Sequence, residues 1–345
     1  MPTLHDTTDG IKKIAKWTGI GLGCILVIFL IIQGSAFFIK TFFPKPATPP
    51  QQAFGKLPKI IFPTSITNLP KSYRLDTVSG NLGQFSDRTN VYKVLSDVPT
   101  LLDLQKTRAA LSKTPFTSNE TYITDTEYSW VDSDRVDKKI TTNIVSNDFT
   151  ITSSFQTYPE IIATSSIDPA SGVEQATDFL KKLSLYPLDL TPEKTTTQLL
   201  AIQGTSIFAA SSLSTAQLVR VDFFQSDINK LPIMYPHPPK SLLYLLIGGF
   251  RTDEILEGTF YHQTISSESS TYPIISVQDA YDILKKGDAY FASYYGSSTI
   301  ISIKNVYLGY FLGESKQDFI MPIYVFEGRD GFFAYVSAVQ NTSLR

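Results

Sequence analysis

The sequence predicts an α+β protein: an N-terminal transmembrane helix, then tandem modules in which a helix packs on antiparallel β-sheet. Three observations carry this. Residues 17–39 run for 23 positions without a charge. A ten-residue amphipathic segment occurs twice, at 173–182 and 277–286, with six identical positions 104 residues apart. Alternating or continuous apolar runs follow each copy, separated by turn-forming residues.

Taken from the N-terminus, the first element is the membrane span. A helix over 17–39 is about 34 Å long, enough for a hydrocarbon core of about 30 Å. Trp17 and the pairs Phe37-Phe38 and Phe42-Phe43 suit the interfacial belts. The apolar run is too long for a cleaved signal peptide, despite Gly34-Ser35-Ala36. Cations flank both sides, Lys12, Lys13 and Lys16 before the span and Lys40 and Lys45 after it, so charge does not set the orientation. Size does: a tail of 16 residues stays in the cytoplasm and the large remainder is translocated. Residues 1–16 are thus expected as a short cytoplasmic tail and 17–39 as the anchor in the lipid bilayer. Seven prolines between 44 and 70 predict a Pro-rich extended stalk over 40–90.

Folded structure is expected in two parts, a first α+β region over 91–267 and a C-terminal α+β module over 268–345. Leu101, Leu102, Leu104, Ala109 and Leu111 predict a helix over 98–113. Strands follow over 122–131, 139–145 and 149–155, with Ser146-Asn147-Asp148 turning between the last two. In the repeated segments Val, Ala and Leu recur at i, i+3 and i+7, one helical face. Ser171 with Glu174 forms a capping box for the first helix; Ser276 caps the second and Gly287 closes it. Leu231-Pro-Ile233 and Met321-Pro-Ile323 extend the correspondence between the two parts. Residues 216–225 alternate as a half-buried strand, and 242–247 read as a strand covered on both faces. Strands over 300–303, 306–311, 319–327 and 332–339 end the chain as a meander. Gly328-Arg-Asp-Gly331 supplies a hairpin turn.

Composition limits the function. With 30 Lys and Arg against 32 Asp and Glu, the net charge is −2, which offers no basic field for nucleic acid. The one cysteine, Cys24, lies in the span, so disulfides and cysteine zinc sites are ruled out after it. The three histidines, His5, His237 and His262, lack ligand spacing for a metal, and His237 reads as an exposed loop residue. Asp132-Ser-Asp134-Arg-Val-Asp137 lacks the glycine and the closing glutamate of a calcium loop and reads as a charged hairpin tip after Trp130. No nucleophile elbow, P-loop or dinucleotide fingerprint occurs, and no cofactor is expected. The aromatic cluster Tyr290, Phe291, Tyr294, Tyr295, Tyr307, Tyr310, Phe311 and Tyr324 is read first as core and cross-strand pairs. Within it, Tyr294, Tyr295, Tyr310 and Tyr324 are the candidate binding surface.

Val306-Tyr-Leu-Gly-Tyr310, Met321-Pro-Ile-Tyr-Val-Phe-Glu-Gly328, Phe333-Ala-Tyr-Val336 and Ala338 resemble the C-terminal module of YycH/YycI-type regulators. The segment is similar, more loosely, to PepSY-like modules. The resemblance covers the last 70 residues, from Ser276. It implies a helix on antiparallel sheet behind a single membrane anchor, and regulation of a sensor histidine kinase. Ile323-Tyr324 departs from the pattern, which usually has a Trp after the proline. Phe54-Gly-Lys-Leu-Pro58 and the overall layout also resemble uncharacterised single-pass membrane proteins of candidate-phyla bacteria. The expected function is a plasma-membrane-anchored, non-catalytic extracytoplasmic protein that binds another envelope protein or a peptide. The alternatives are an envelope enzyme acting on a polymer or peptide through carboxylates, and a structural spacer.

Overall fold

The computed structural model describes residues 49–67, 72–163, 167–249 and 254–345. The expected tail, membrane helix and first part of the stalk lie outside the described residues. Among the described residues no helix is long and apolar enough to cross a membrane.

The chain begins with β1 (Ser72–Leu75) and β2 (Arg88–Val94), then helix α1 (Asp103–Leu111). Four strands follow: β3 (Thr121–Tyr122), β4 (Glu127–Val131), β5 (Lys139–Asn143) and β6 (Phe149–Thr152). Helices α2 (Pro159–Ala163) and α3 (Pro169–Lys182) lead into β7 (Thr196–Gln203), β8 (Ser206–Ala209), β9 (Leu218–Phe223) and β10 (Ile233–Met234). Next come β11 (Leu243–Gly248), β12 (Ile255–Phe260) and β13 (Ile265–Pro273). Helix α4 (Val277–Lys286) precedes β14 (Tyr290–Ser293), β15 (Ile300–Phe311), β16 (Phe319–Gly328) and β17 (Phe333–Ser337).

The fold is α+β, mostly sheet with few helices. A nine-stranded sheet runs β3-β4-β5-β6-β12-β11-β9-β7-β8, antiparallel throughout. An eight-stranded sheet has the path β1-β15-β16-β17-β14, with β2, β10 and β13 attached. Here β1 and β10 lie parallel to opposite ends of β15. One apolar core spans both sheets. Phe149, Phe179, Val219, Val221, Phe223 and Leu245 pack with Tyr92, Val94, Tyr310 and Ile320 in it.

Local rules account for the elements. Helix α4 starts at Ser276, whose hydroxyl accepts the Asp279 N–H at 3.1 Å, and ends on Gly287 at φ +86°. Helix α3 starts earlier than expected. Asp168 is its N-cap, accepting the Ser171 N–H at 2.9 Å, and Pro169 fills the first turn. This Asp-Pro start supplies both a cap and a preset φ, so it takes precedence over the Ser171–Glu174 box. The expected hairpin between β16 and β17 forms, with Asp330 and Gly331 at φ +56° and +67°.

Two expectations need correction. Within the described residues, the expected stalk over 40–90 is packed chain and not a free extended segment. Leu57 is wholly buried, bridges in parallel to Leu344, and packs with Val91, Tyr272 and Met321. Ile60 and Phe62 cover Tyr290 and Phe311 on one face of the eight-stranded sheet. Prolines deny backbone donors, but they do not stop the apolar residues between them from burying. The modules are also not tandem, because β1 and β2 complete the C-terminal sheet. Both repeated segments are helices packed on a sheet, α3 on β9 and α4 on β17. The strands behind them differ in order. After α3 they lie side by side as β7, β9, β11, β12; after α4 the last strand, β17, returns to the first, β14. Ile233 sits in β10 at the end of β15, whereas Ile323 is central in β16, so these two segments do not correspond.

Candidate functional site

The four tyrosines do not share a surface. Tyr310 and Tyr324 are each 1% exposed. The Tyr310 hydroxyl donates to the Asn90 carbonyl at 2.9 Å, with its ring edge against Tyr92. Tyr324 donates to the Ile275 carbonyl at 2.8 Å and packs edge-on with Phe85. Both are core groups with satisfied hydroxyls, because the sheet that carries them is covered on both faces. Tyr290, Phe291 and Phe311 are buried as well. Tyr294 is half-buried against Phe332 and exchanges hydrogen bonds with the Ser298 backbone. Only Tyr295 projects, 70% exposed, anchored by its N–H to the Asp330 carbonyl at 2.9 Å.

Tyr295 overhangs a groove of about 410 Å³ on the nine-stranded sheet, on the face away from α3. Strand alternation builds the floor. Val219, Val221 and Phe223 point into the core, so Arg220 and Asp222 point outward. Register then aligns Arg220 with Leu246 and Glu257, and Asp222 with Tyr244. The Arg220 guanidinium lies 3.5 Å above the Tyr244 ring centre and grips Asp222 through two bonds of 2.7 and 2.8 Å. The Tyr244 hydroxyl donates to Glu257 at 2.7 Å. Burial, together with the Glu257 carboxylate, raises this phenol above its ordinary range. The charges of the floor are therefore locked to one another.

Lys240 stands at one end of the groove, and among the described residues its ammonium has no ion-pair partner. On its other side lies a second hollow of about 420 Å³ lined by Pro232, Met234, Pro239, Tyr307 and Phe333. The arrangement can hold a chain crossing both hollows, with a carbonyl or carboxylate at Lys240 and apolar groups under Tyr295. The groove thus combines aromatic walls, an ionic floor and Lys240 at its end.

Other polar clusters have structural partners. The 132–137 tip stands exposed at Ser133, Asp134, Val136 and Asp137, while Asp132 and Arg135 turn inward. Asp132 accepts the N–H groups of Asp134 and Arg135 at 2.8 and 3.1 Å and pairs with buried Lys138 at 2.8 Å. Arg135 lies over the Tyr158 ring and binds Glu160 at 2.5 Å and Glu254 at 3.1 Å. His237 is exposed, as expected. His262, beyond the end of β12, meets Asp189 at 2.9 Å in a polar seam with Gln225 and Gln263. Burial alone would raise Asp189, but His262 and Gln225 outweigh it and hold the carboxyl below its ordinary range. Nearby Asp148 is raised by burial, which Ser146 and Lys316 only partly offset. Among the described residues no group of three His, Cys, Asp or Glu is placed to hold a metal ion. Tyr295 was legible as an aromatic of the candidate surface. Arg220, Lys240, Tyr244 and Glu257 were not, since only strand register brings them together.

No protein-family model and no curated protein matches this chain. Among solved structures it is similar to an uncharacterized protein from Eubacterium rectale ATCC 33656. Identity is 13% over 73% of this chain and 83% of that one, with a TM-score of 0.39. It is also similar to the C-terminal domain of Bacillus megaterium YpeB, at 13% identity over 72% of this chain and 95% of that one, with a TM-score of 0.30. Similarity at this level carries over neither fold nor function.

Proposed function

We propose that this chain is a membrane-anchored, non-catalytic extracytoplasmic protein that binds an extended segment of another envelope protein or a peptide. The occupied site is the groove beneath Tyr295. The observation that carries the reading is the pairing of a projecting aromatic with an unpaired ammonium over a floor in which Arg220 is ion-paired to Asp222 and Glu257 is held by the Tyr244 hydroxyl. Such a floor gives shape and polarity without a nucleophile. The charge-free span over 17–39 supports the anchor, and the resemblance to YycH/YycI-type regulators supports a regulatory role for the bound partner.

The test places a photoreactive amino acid at Gln198, an exposed residue of the groove. Irradiated intact cells should yield a discrete adduct with an envelope protein. Lys240→Glu and Tyr295→Ala should each lower its yield at least about fivefold, the equivalent of roughly 1 kcal/mol. An adduct indifferent to both substitutions, or none, overturns the proposal. A cysteine at Ser315 in a Cys24→Ser chain, probed with an impermeant maleimide, reports the side of the membrane. Labelling only after lysis would place the groove in the cytoplasm.

A further inference from the structure

Strand β8 ends the nine-stranded sheet as an open edge, and its chemistry specifies what can close it. Its register with β7 pairs Gln203 with Ser206, Ala201 with Phe208 and Leu200 with Ala209. The Ala210 N–H donates to the Leu199 carbonyl at 2.9 Å, which fixes the alternation of the ladder. Ser206 and Phe208 therefore spend their backbone groups on β7, while those of Ile207 and Ala209 face outward. All four residues are exposed, Ile207 by 36% and Phe208 by 52%. Edges are normally blunted by charge, proline or a covering segment. None of these devices is present here: residues 195–219 are uncharged and contain no proline.

Other edges of the molecule are treated differently. The Phe291 backbone of β14 is taken by Ser65 and Ile66, both bonds at 3.1 Å. Thr271 of β13 is bonded by Gln51 and Gln52. Strand β3 is two residues long and flanked by Glu120 and Asp125. Among the described residues nothing covers Ile207 or Ala209 in this way.

We propose that β8 is a self-association edge, at which two copies of the chain join antiparallel and continue one sheet into the other. The antiparallel register that uses every outward group of the strand bonds Ile207 to Ala209 of the second copy, and the reverse. That register puts Phe208 opposite Phe208 of the second copy, in the close, non-hydrogen-bonded kind of pair, where two aromatic rings support each other. The joint is self-complementary about Phe208, as a two-fold contact requires. Four residues a side bury far less than the roughly 1,600 Å² of a standard stable interface. The dimer is accordingly concentration-dependent, and tethering to a bilayer would favour it by raising the local concentration. The proposal rests on neither the anchor nor the partner assigned to the groove, although Ile207, Phe208 and Ala209 also line the groove's margin.

Register makes the test specific. In the Cys24→Ser full-length chain, purified in detergent, Phe208→Cys, Ile207→Cys and Ser315→Cys are compared under mild oxidation. Opposed Phe208 positions have Cα atoms about 4.5 Å apart, inside disulfide range. Opposed Ile207 positions are diagonal, about 7–8 Å apart and outside it. Disulfide-linked dimer should form from Phe208→Cys at least tenfold faster than from the other two. Equal rates from positions 207 and 208, or no dimer from 208, overturn the proposal. Sedimentation equilibrium of the Cys24→Ser chain should show a monomer–dimer exchange that Phe208→Lys abolishes. A monomer at every concentration, or a dimer indifferent to Phe208→Lys, overturns it too. Because Phe208 also lines the groove, the two readings are separated by Lys240→Glu, which should lower the groove adduct and leave the dimer unchanged.

Discussion

Charged side chains in this fold are held in pairs, some local and some between distant parts of the chain, and each pair limits what its members can do. Arg220 is fixed by Asp222 and Tyr244, Lys138 by Asp132, and Asp189 by His262 from 73 residues away. Asp189 gives a pH prediction with a definite sign. Its folded-state pKa is depressed, so its ionised form favours the native state. That contribution is present above the ordinary carboxylate pKa of about 3.9 and is lost as pH falls through the lower folded value. Asp189→Asn keeps the shape and removes the charge. The side chain stays more than a third exposed, so solvent reduces the effect, and a loss of about 1 kcal/mol is expected at pH 7. Urea unfolding of both proteins from pH 7 to pH 2.5 should show the gap closing at the acid end. A gap of constant size would mean that the carboxylate charge is not its source.

Elements in this chain depend on a few backbone positions, and two glycines separate stability from site geometry. Gly287 closes α4 at φ +86°, with nothing within 4 Å of an added Cβ. Gly331 turns β16 into β17 at φ +67°, and an added Cβ would fall 2.5 Å from the Tyr295 ring. Alanine at either site costs about 1–2 kcal/mol of left-handed backbone strain. The Tyr295 ring is free to swing aside, so only Gly331→Ala also disturbs the groove. Thermal melts should place the two variants together, while the photo-adduct from position 198 falls with Gly331→Ala alone. Both glycines were legible in the sequence, as were α4, β9, β11 and the final hairpin, because each has a local signature. Strands β1 and β10 were not: at four and two residues they have no periodicity, and only β15 defines them. Tyr310 and Tyr324 failed as surface residues for a related reason. Alternation separates the two faces of a strand, but it does not say that Tyr92 and the shared core will cover Tyr310, or that α4 and Phe85 will cover Tyr324. The groove was illegible at the same level, since Arg220, Tyr244 and Glu257 come from three strands whose order no local pattern encodes.

At the scale of the whole molecule, the two ends of the described chain are tied together, and the core makes that tie matter everywhere. The Leu57 N–H donates to the Ser343 carbonyl and the Arg345 N–H donates back to Leu57, each at 2.9 Å. Leu57 itself fills a pocket among Val91, Tyr272, Met321 and Leu344 at the margin of the eight-stranded sheet. Tyr92, adjacent to Val91 on β2, belongs to the core shared with the other sheet, where Phe149 and Trp130 are buried. A cavity at Leu57 should therefore be felt across both sheets. Leu57→Ala removes a wholly buried side chain and is expected to cost about 3 kcal/mol. In a Trp17→Phe background, Trp130 fluorescence reports the nine-stranded sheet alone, while far-UV circular dichroism reports both. If the common core couples the sheets, the two signals unfold together in wild type and shift together in Leu57→Ala, as a two-state transition requires. A Trp130 transition that stays in place while the circular dichroism midpoint falls would show that the sheets unfold independently and that the shared core does not couple them.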